Sequence, residues 1–177
     1  AALGADVKGI DFSQPLSPDD KAFVQKAWND HLVLRFQDQV LEDEDLIRMA
    51  DAFGGSQVAG SRQYYLDAGY DTKSGRVSRL AGITIISNLD KDGKPEKENS
   101  GTGSSELFWH TDNSYVDNPP KGSVLYGIQV PINGGGDTSF VNQYETYNAL
   151  SESMKKQLLK LHIRHDNSRN TAGGTRP

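Results

Sequence analysis

The 177-residue sequence contains no cysteine. Disulfide bridges, zinc–thiolate sites, iron–sulfur ligation and thiol nucleophiles are therefore excluded within it. Histidine, aspartate and glutamate remain as the side chains that bind metal ions with ordinary strength. Any metal site in this sequence must draw on these three residue types.

Long apolar runs and runs of basic residues are also missing. The longest apolar stretches, such as residues 32–34 and 83–86, fall far short of the ~20 residues that a membrane-spanning helix needs. A formal net charge of -5 gives no general attraction to nucleic acid or anionic lipid. We therefore expect no nucleic-acid partner and no membrane partner. The sequence opens on Ala1-Ala2 without an initiating Met or a leader, which leaves a removed leader open and makes the cytoplasm the default location.

The composition, with 35% hydrophobic and 24% charged residues, is that of a folded globular domain. Short strands are predicted at residues 31–36, 82–87, 107–112, 123–130 and 138–141. The sequence shows neither an internal repeat nor a parallel βαβ alternation. These features predict a mainly β domain with flanking helices, built on a barrel or jelly-roll core.

Three amphipathic helices are predicted beside these strands. The first begins at the N-cap Ser17, with Pro18 at the first helical position. Its apolar face, which we expect in the core, consists of Phe23, Val24, Ala27 and Trp28. The second covers residues 46–53 and ends at Gly54-Gly55. The third covers residues 151–162, with an apolar side formed by Met154, Leu158 and Leu161.

The segment Trp109-His110-Thr111-Asp112 is the strongest candidate for a metal site in the sequence. In a strand, residues two apart face the same side, so His110 and Asp112 would present an imidazole and a carboxylate together. These are two of the three ligands of the 2-His-1-carboxylate triad, which holds iron(II) and leaves positions open for cosubstrate and oxygen. A His-x-Asp pair alone also occurs by chance, as a surface or capping pair.

The sequence around this motif is more specific than the His-x-Asp pair alone. Trp109-His110-Thr111-Asp112-Asn113-Ser114-Tyr115 is followed by Pro119-Pro120 and then by Val130-Pro131-Ile132-Asn133-Gly134-Gly135-Gly136-Asp137-Thr138. Together with residues 3–11, 33–39, 53–54, 86–88, 144–150 and 165–169, this order resembles the taurine and 2,4-dichlorophenoxyacetate (TauD/TfdA-like) dioxygenase family. The resemblance covers nearly the whole chain. It implies a single domain over residues 1–177 with a double-stranded β-helix core (jelly-roll, cupin-like), of which this is the N-terminal portion and the C-terminal part is absent from the chain.

The family resemblance also implies ligands and cosubstrates. It makes His110 and Asp112 ligands of iron(II), and it makes the Thr138 hydroxyl a partner of the distal carboxylate of 2-oxoglutarate, with O2 as the other cosubstrate. The third ligand, a histidine, and an arginine that pairs with 2-oxoglutarate are expected beyond Pro177. Judged from the residues alone, Gly134 to Gly136 permit close backbone approach and Thr138 can donate to a carboxylate, although an ordinary turn and strand residue stays the alternative.

The implied reaction releases succinate and CO2 and hydroxylates a small organic acid. Positions that recognise taurine in the family appear here as Ala59, Arg62 and Glu106, so taurine is not the expected substrate. A sulfonate, a sulfate ester or an aryloxyalkanoate is expected instead, and Arg62 would pair with its anion. Asn88 and Asn113 are expected to face 2-oxoglutarate or the substrate, with a structural amide as the alternative.

The remaining histidines, His31, His162 and His165, are interpreted as residues at or near helix ends. Two other functions stay open at this point. One is a cupin-like hydrolase or isomerase that uses His110 and Asp112 for zinc or manganese, and the other is a non-catalytic barrel that binds a small molecule. The family is often oligomeric, so a homo-oligomer is expected, although no residue marks an interface.

Overall fold

A computed structural model of the chain describes residues 3–58, 62–73, 77–89, 94, 108–130, 132–135, 137–166 and 168. The chain divides into two compact units. The first unit comprises Ala1–Asp45 and Asp137–Arg164, and the second comprises Leu46–Gly136 and His165–Pro177.

Helix α1, Pro18–His31, begins where the sequence predicts. Ser17 is extended, and its hydroxyl oxygen accepts a hydrogen bond from the Asp20 N–H at 3.1 Å. Pro18 occupies the first turn, where its missing N–H costs nothing. His31 lies in the last turn of the helix, so its interpretation as a helix-end residue is confirmed.

The predicted apolar face of α1 is buried only in part. Val24 is 3% exposed, whereas Phe23 is 53% exposed. Neighbouring residues on a helix point about 100° apart, so a narrow contact covers one of them and leaves the other at its margin. Trp28 is half-buried, and its indole N–H donates to the Leu32 carbonyl oxygen at 3.1 Å. The expectation that Phe23 lies in the core is therefore wrong.

Two short strands, β1 (Ala5–Val7) and β2 (Leu34–Phe36), pair in parallel, with Asp6 opposite Arg35. Helix α1 lies in the connection between them, as a parallel pair requires a crossover. The Arg35 guanidinium donates to both carboxylate oxygens of Asp6, from Nε at 2.7 Å and from Nη2 at 2.9 Å. The strand predicted over residues 31–36 is thus present in its second half.

The core of the first unit lies beside these strands. Its most buried side chains, at most 8% exposed, are Val7, Ile10, Phe12 and Val24. The Phe12 ring packs edge-on against Phe36, with 4.8 Å between ring centroids. The side chain of Gln39 accepts from the Phe12 N–H at 3.0 Å and donates to the Ile10 carbonyl oxygen at 2.9 Å. Burial of each such apolar side chain stabilises the fold by roughly 1.5–3 kcal/mol.

Helix α2, Asp43–Ala52, has three acidic residues in its first turn, which suits the positive end of the helix dipole. Gly54 and Gly55 follow it with φ of 128° and 99°, values that residues with a side chain rarely adopt. The prediction that these glycines end the helix is confirmed. The helix begins three residues earlier than residue 46, the predicted start.

The second unit contains a short helix, α3 (Arg62–Asp67), that the sequence did not reveal. Residues 55–79 were expected to be irregular, because six helical residues are too few to show a clear apolar period. Val77 and Ser78 are each 3% exposed, and Val77 forms an antiparallel bridge with Thr84. A side chain at Gly82 would lie 2.9 Å from Ile47, so the backbone packs closely against α2 there.

The strands predicted at residues 82–87, 107–112, 123–130 and 138–141 are not formed among the residues that the structure describes. Thr84 makes its single bridge, and several apolar side chains of these segments are exposed, with Ile128 at 86% and Val130 at 69%. Strand-forming residues produce a strand only where a neighbour supplies the ladder hydrogen bonds. The sequence therefore predicts strand propensity here but not pairing.

Two further helices, α4 (Gln143–Asn148) and α5 (Glu152–Leu158), belong to the first unit. Helix α4 was not predicted, although Asn142 caps it. Helix α5 begins one residue after Ser151, the predicted start, and Ser151 caps it, but the helix ends four residues before the predicted end. Met154 and Leu158 are 43% and 41% exposed, so the predicted apolar side of α5 is not a buried face. No helix in the described ranges is long and apolar enough to cross a membrane.

Candidate metal centre

The motif with His110 and Asp112 lies in the second unit. Residues 108–111 are irregular and residues 112–115 form a turn, so the strand expected there is absent. The two side chains nevertheless converge, with 3.1 Å between His110 Nε2 and Asp112 Oδ1. Their proximity does not come from the alternation of side chains along a strand, since no strand forms among these described residues.

The other nitrogen of the His110 ring faces the backbone. His110 Nδ1 lies 2.7 Å from the Phe108 carbonyl oxygen. A carbonyl oxygen only accepts hydrogen bonds, so Nδ1 carries the hydrogen in this contact. Histidines that bind metal ions commonly donate their second ring N–H to a backbone carbonyl in this way, which fixes the ring orientation. Nε2 is thereby left as the metal-binding atom.

Both ring nitrogens of His110 thus face oxygen atoms. A neutral imidazole has one N–H, so Nε2 and Asp112 Oδ1 lie at this distance favourably only if a proton or a metal ion lies between them. Neighbouring ligand atoms of an octahedral ion, each about 2.1 Å from it, are about 3.0 Å apart. The observed separation of 3.1 Å fits that arrangement. The two side chains are 36% and 64% exposed, so an ion has access to them.

The pair supplies two metal ligands. Within the described part of the chain, no third His, Asp or Glu joins them in a metal-binding group. One imidazole nitrogen and one carboxylate oxygen fit iron(II) in a 2-His-1-carboxylate site, and the same donors also suit manganese(II) or zinc(II). The third ligand, expected beyond Pro177, stays a prediction.

Asn113 shapes the turn that follows the motif. Its φ of 52° lies in the left-handed region, which asparagine tolerates better than most residues. Its side-chain oxygen accepts a hydrogen bond from the Tyr115 hydroxyl at 3.2 Å, and its carbonyl oxygen accepts from the Val116 N–H at 3.3 Å. Asn113 thus makes hydrogen bonds within the turn. This agrees with the alternative considered from the sequence, in which its amide has a structural role and does not face 2-oxoglutarate or the substrate.

A histidine distant in sequence also reaches this turn. His165 Nδ1 lies 3.0 Å from the Ser114 hydroxyl oxygen, although the two residues are 51 positions apart. Helix α5 ends at Leu158, so the interpretation of His165 as a helix-terminal cation is wrong. The sequence carries no local signal for this contact, because the two residues are far apart along the chain.

Thr138 belongs to the first unit, where it is exposed and lies outside any helix or strand. Before it, Gly134 and Gly135 have φ of 80° and 92°. Glycine adopts these angles without strain. Gly136 lies outside the described residues.

The expected substrate residues are described only in part. Arg62, the first residue of α3, is half-buried, and its Nη1 donates to the carbonyl oxygen of the buried Ser78. The sequence did not predict this contact within the fold. Asn88 is exposed at a bend. Ala59 and Glu106 lie outside the described residues.

Comparison with known proteins identifies relatives along almost the whole chain. A family model described as taurine catabolism dioxygenase TauD, TfdA family matches residues 1–176. The chain is 30% identical over 172 residues to an alkylsulfatase of Acinetobacter baylyi, with 97% of this chain and 46% of that protein covered. It is 29% identical over 181 residues to an alpha-ketoglutarate-dependent 2,4-dichlorophenoxyacetate dioxygenase of Cupriavidus pinatubonensis, with 98% and 59% covered. The chain spans about half the length of these relatives.

A solved structure supports the same relationship. The chain matches AAD-2, crystallised in complex with Mn(II) and N-oxalylglycine, with a TM-score of 0.59 and 27% identity. The match covers 89% of this chain and 51% of the AAD-2 chain. Together, the structural likeness and the family match indicate a cupin-like fold.

Proposed function

The chain belongs to the TauD/TfdA family of dioxygenases, and on that basis we propose that its protein is a non-haem iron(II)- and 2-oxoglutarate-dependent dioxygenase. The observation that carries the proposal is the 3.1 Å approach of His110 Nε2 to Asp112 Oδ1. In this proposal both atoms bind one iron(II) ion. The third ligand is the histidine predicted beyond Pro177.

We also propose that residues 1–177 form a single domain with a double-stranded β-helix core and flanking helices. The family match over residues 1–176 supports a single domain, because it does not stop at the boundary between the units. The likeness to AAD-2 over 89% of the chain supports a shared core.

The residues around the motif orient the two metal-binding groups, the His110 imidazole and the Asp112 carboxylate. When bound, iron(II) supplies the oxygen activation through which 2-oxoglutarate gives succinate and CO2 and the substrate is hydroxylated. The Phe108 carbonyl holds the hydrogen of His110 on Nδ1, which keeps the Nε2 lone pair available. The Asp112 carboxylate contributes negative charge that offsets part of the charge of a divalent ion. The left-handed φ of Asn113 turns the chain directly after this carboxylate.

Thr138 is the residue that we propose for the distal carboxylate of 2-oxoglutarate. A hydroxyl can donate one hydrogen bond to a carboxylate oxygen, and the exposure of Thr138 leaves room for that contact. Gly134 and Gly135, shortly before it in the sequence, have no side chain. Asn88 and Asn113 are weaker candidates for 2-oxoglutarate or substrate, since the Asn113 side-chain oxygen already accepts from Tyr115.

The substrate that we propose is a small organic acid of the sulfonate, sulfate ester or aryloxyalkanoate type. Two relatives support it by name, an alkylsulfatase and a 2,4-dichlorophenoxyacetate dioxygenase. Arg62 is the proposed partner of the substrate anion, because a guanidinium has five N–H donors and Ser78 engages one nitrogen. Glu106 stays a second proposed substrate residue, from the family resemblance alone. Hydroxylation at a carbon next to oxygen or sulfur would make such a product break apart.

The other two functions considered from the sequence receive less support. A cupin-like hydrolase or isomerase would also use His110 and Asp112, but the family model and the phenoxyacetate relative are dioxygenases by description. A non-catalytic barrel is less favoured for the same reason, because these matches are described as dioxygenases. A homo-oligomer and a cytoplasmic location stay predictions.

Succinate release from the full-length protein tests the proposed reaction. The assay supplies iron(II), ascorbate and 2-oxoglutarate together with a panel of sulfonates, sulfate esters and aryloxyalkanoates. We expect succinate in proportion to product with at least one of these acids, and none from His110→Ala. Substrate conversion that proceeds without 2-oxoglutarate would instead establish the hydrolase or isomerase.

A further inference from the structure

The turn after Asp112 is tied to a distant part of the chain by a side-chain contact. Ser114 lies two residues after Asp112, and its hydroxyl oxygen is 3.0 Å from His165 Nδ1. Both residues belong to the second unit. We propose that Ser114 and His165 form a clamp that positions the Asp112 carboxylate beside His110. This proposal rests on the proposed function, in which that carboxylate binds the metal ion.

The position of the Asp112 carboxylate depends on the turn. Asp112 is the first residue of the turn, and its side chain is 64% exposed. No strand forms among the described residues of this segment, so ladder hydrogen bonds do not fix its backbone there. The conformation of residues 112–115 therefore decides where the carboxylate points. A change of turn conformation would separate Oδ1 from His110 Nε2.

Two side-chain contacts define that conformation. The contact of Asn113 with Tyr115 is local and holds the turn in shape. The contact of Ser114 with His165 is long-range and fixes the turn relative to another segment of the same unit. The serine hydroxyl can donate or accept, so one hydrogen bond forms with either neutral tautomer of His165. The clamp therefore works without a change of charge.

His165 acts in this proposal as a positioning residue and not as a metal ligand. Within the described residues, it belongs to no group of three side chains that could hold an ion. Its ring contacts Ser114, the second residue after the proposed metal ligand Asp112. Groups that orient metal ligands from outside typically change metal affinity about 10–100-fold when they are removed. Because this clamp acts on Asp112 through the turn, we expect an effect near the lower end of that range.

Manganese(II) binding to the full-length protein, followed by electron paramagnetic resonance without 2-oxoglutarate or substrate, tests the clamp. Ser114→Ala and His165→Phe should each weaken manganese(II) binding by about tenfold. Ser114→Thr keeps the hydroxyl, and His165→Asn keeps a hydrogen-bonding atom at the same number of bonds from the backbone as Nδ1. These two conservative variants should bind close to wild-type affinity. His162→Phe replaces an exposed histidine three residues earlier in the sequence; it is the matched control and should leave binding unchanged.

The double variant and a ligand variant separate the possible outcomes. Ser114→Ala combined with His165→Phe should bind no more weakly than either single variant, because both remove one interaction. Additive losses, or wild-type affinity in both single variants while His110→Ala abolishes binding, would overturn the clamp. Wild-type affinity in His110→Ala would instead overturn the proposed metal centre itself. If His165→Phe does not fold, the comparison of Ser114→Ala with Ser114→Thr gives the same decision.

Discussion

The Nδ1 atom of His110 lies 2.7 Å from the carbonyl oxygen of Phe108, two residues before it. The ring is thereby oriented by its own backbone, and Nε2 faces the Asp112 carboxylate at 3.1 Å. Neither contact needs a strand. A short irregular segment and a turn suffice to bring an imidazole and a carboxylate to the spacing of neighbouring metal ligands.

Replacement of Asp112 by asparagine should remove activity almost completely. The amide keeps the shape of the side chain but lacks the negative charge that a divalent ion requires. Changes outside the ligand shell alone cost about 10–100-fold, so loss of a ligand should leave less than about 1% of wild-type turnover. Turnover is measured as succinate release with saturating iron(II). Asp112→Glu, which keeps the charge, is the matched control and should retain more activity. Equal activity in Asp112→Asn and wild type would exclude Asp112 as a ligand.

Replacement of Thr138 by alanine should weaken 2-oxoglutarate binding. A hydrogen bond to a charged group contributes about 1.5–3 kcal/mol, so the KM for 2-oxoglutarate should rise about tenfold or more while substrate affinity stays the same. The measurement is initial velocity as a function of 2-oxoglutarate concentration. Thr138→Ser keeps the hydroxyl and should behave like the wild type. An unchanged KM in Thr138→Ala would show that Thr138 does not bind 2-oxoglutarate.

The ion pair between Asp6 and Arg35 should make stability depend on pH. The hydrogen bond from Arg35 holds the pKa of the Asp6 carboxyl below its usual 3.8 in the folded state. A lowered pKa in the folded state means that the contribution is complete above the usual value and is lost as the pH falls through the folded-state value. Asp6→Asn should therefore lower the urea midpoint at neutral pH and have progressively less effect below pH 3.8. A difference that persists undiminished in strong acid would show that the ion pair is not its source.

Two neighbouring residues of helix α1 should differ sharply in their effect on stability. Val24 is 3% exposed, so Val24→Ala leaves a cavity and should cost about 1–3 kcal/mol in the free energy of unfolding. Phe23 is 53% exposed, and Phe23→Ala should cost less although it removes a larger side chain. Urea denaturation of both variants measures the difference. A larger loss from Phe23→Ala would mean that the face predicted from the sequence is buried after all.

The N-terminal starts of helices α1 and α5 were the most predictable part of this fold. Ser17 caps α1 as predicted, because an N-cap is a local interaction between a side chain and the next turn. Helix α5 begins within one residue of its predicted start, Ser151. The C-terminal ends of the helices were harder to predict, since α5 ends at Leu158 and not at residue 162. Helix α4 was missed although Asn142 caps it, because its few residues show no apolar period.

Strands were less predictable, because their hydrogen bonds come from other segments. Residues 34–36 form a strand with β1, whereas residues 123–130, with equal propensity, form none among the described residues. The same reasoning explains the candidate site. The proximity of His110 to Asp112 follows from two positions in one short motif, but the contact of His165 with Ser114 joins residues 51 positions apart. Local patterns do not encode that distance.

The most direct test of the metal centre is an anaerobic crystal structure of the full-length protein with iron(II) and 2-oxoglutarate, with data collected at the iron absorption edge. The account predicts one anomalous peak about 2.1 Å from both His110 Nε2 and an Asp112 carboxylate oxygen. A peak elsewhere, or a loaded protein in which these two side chains point away from the ion, would contradict it.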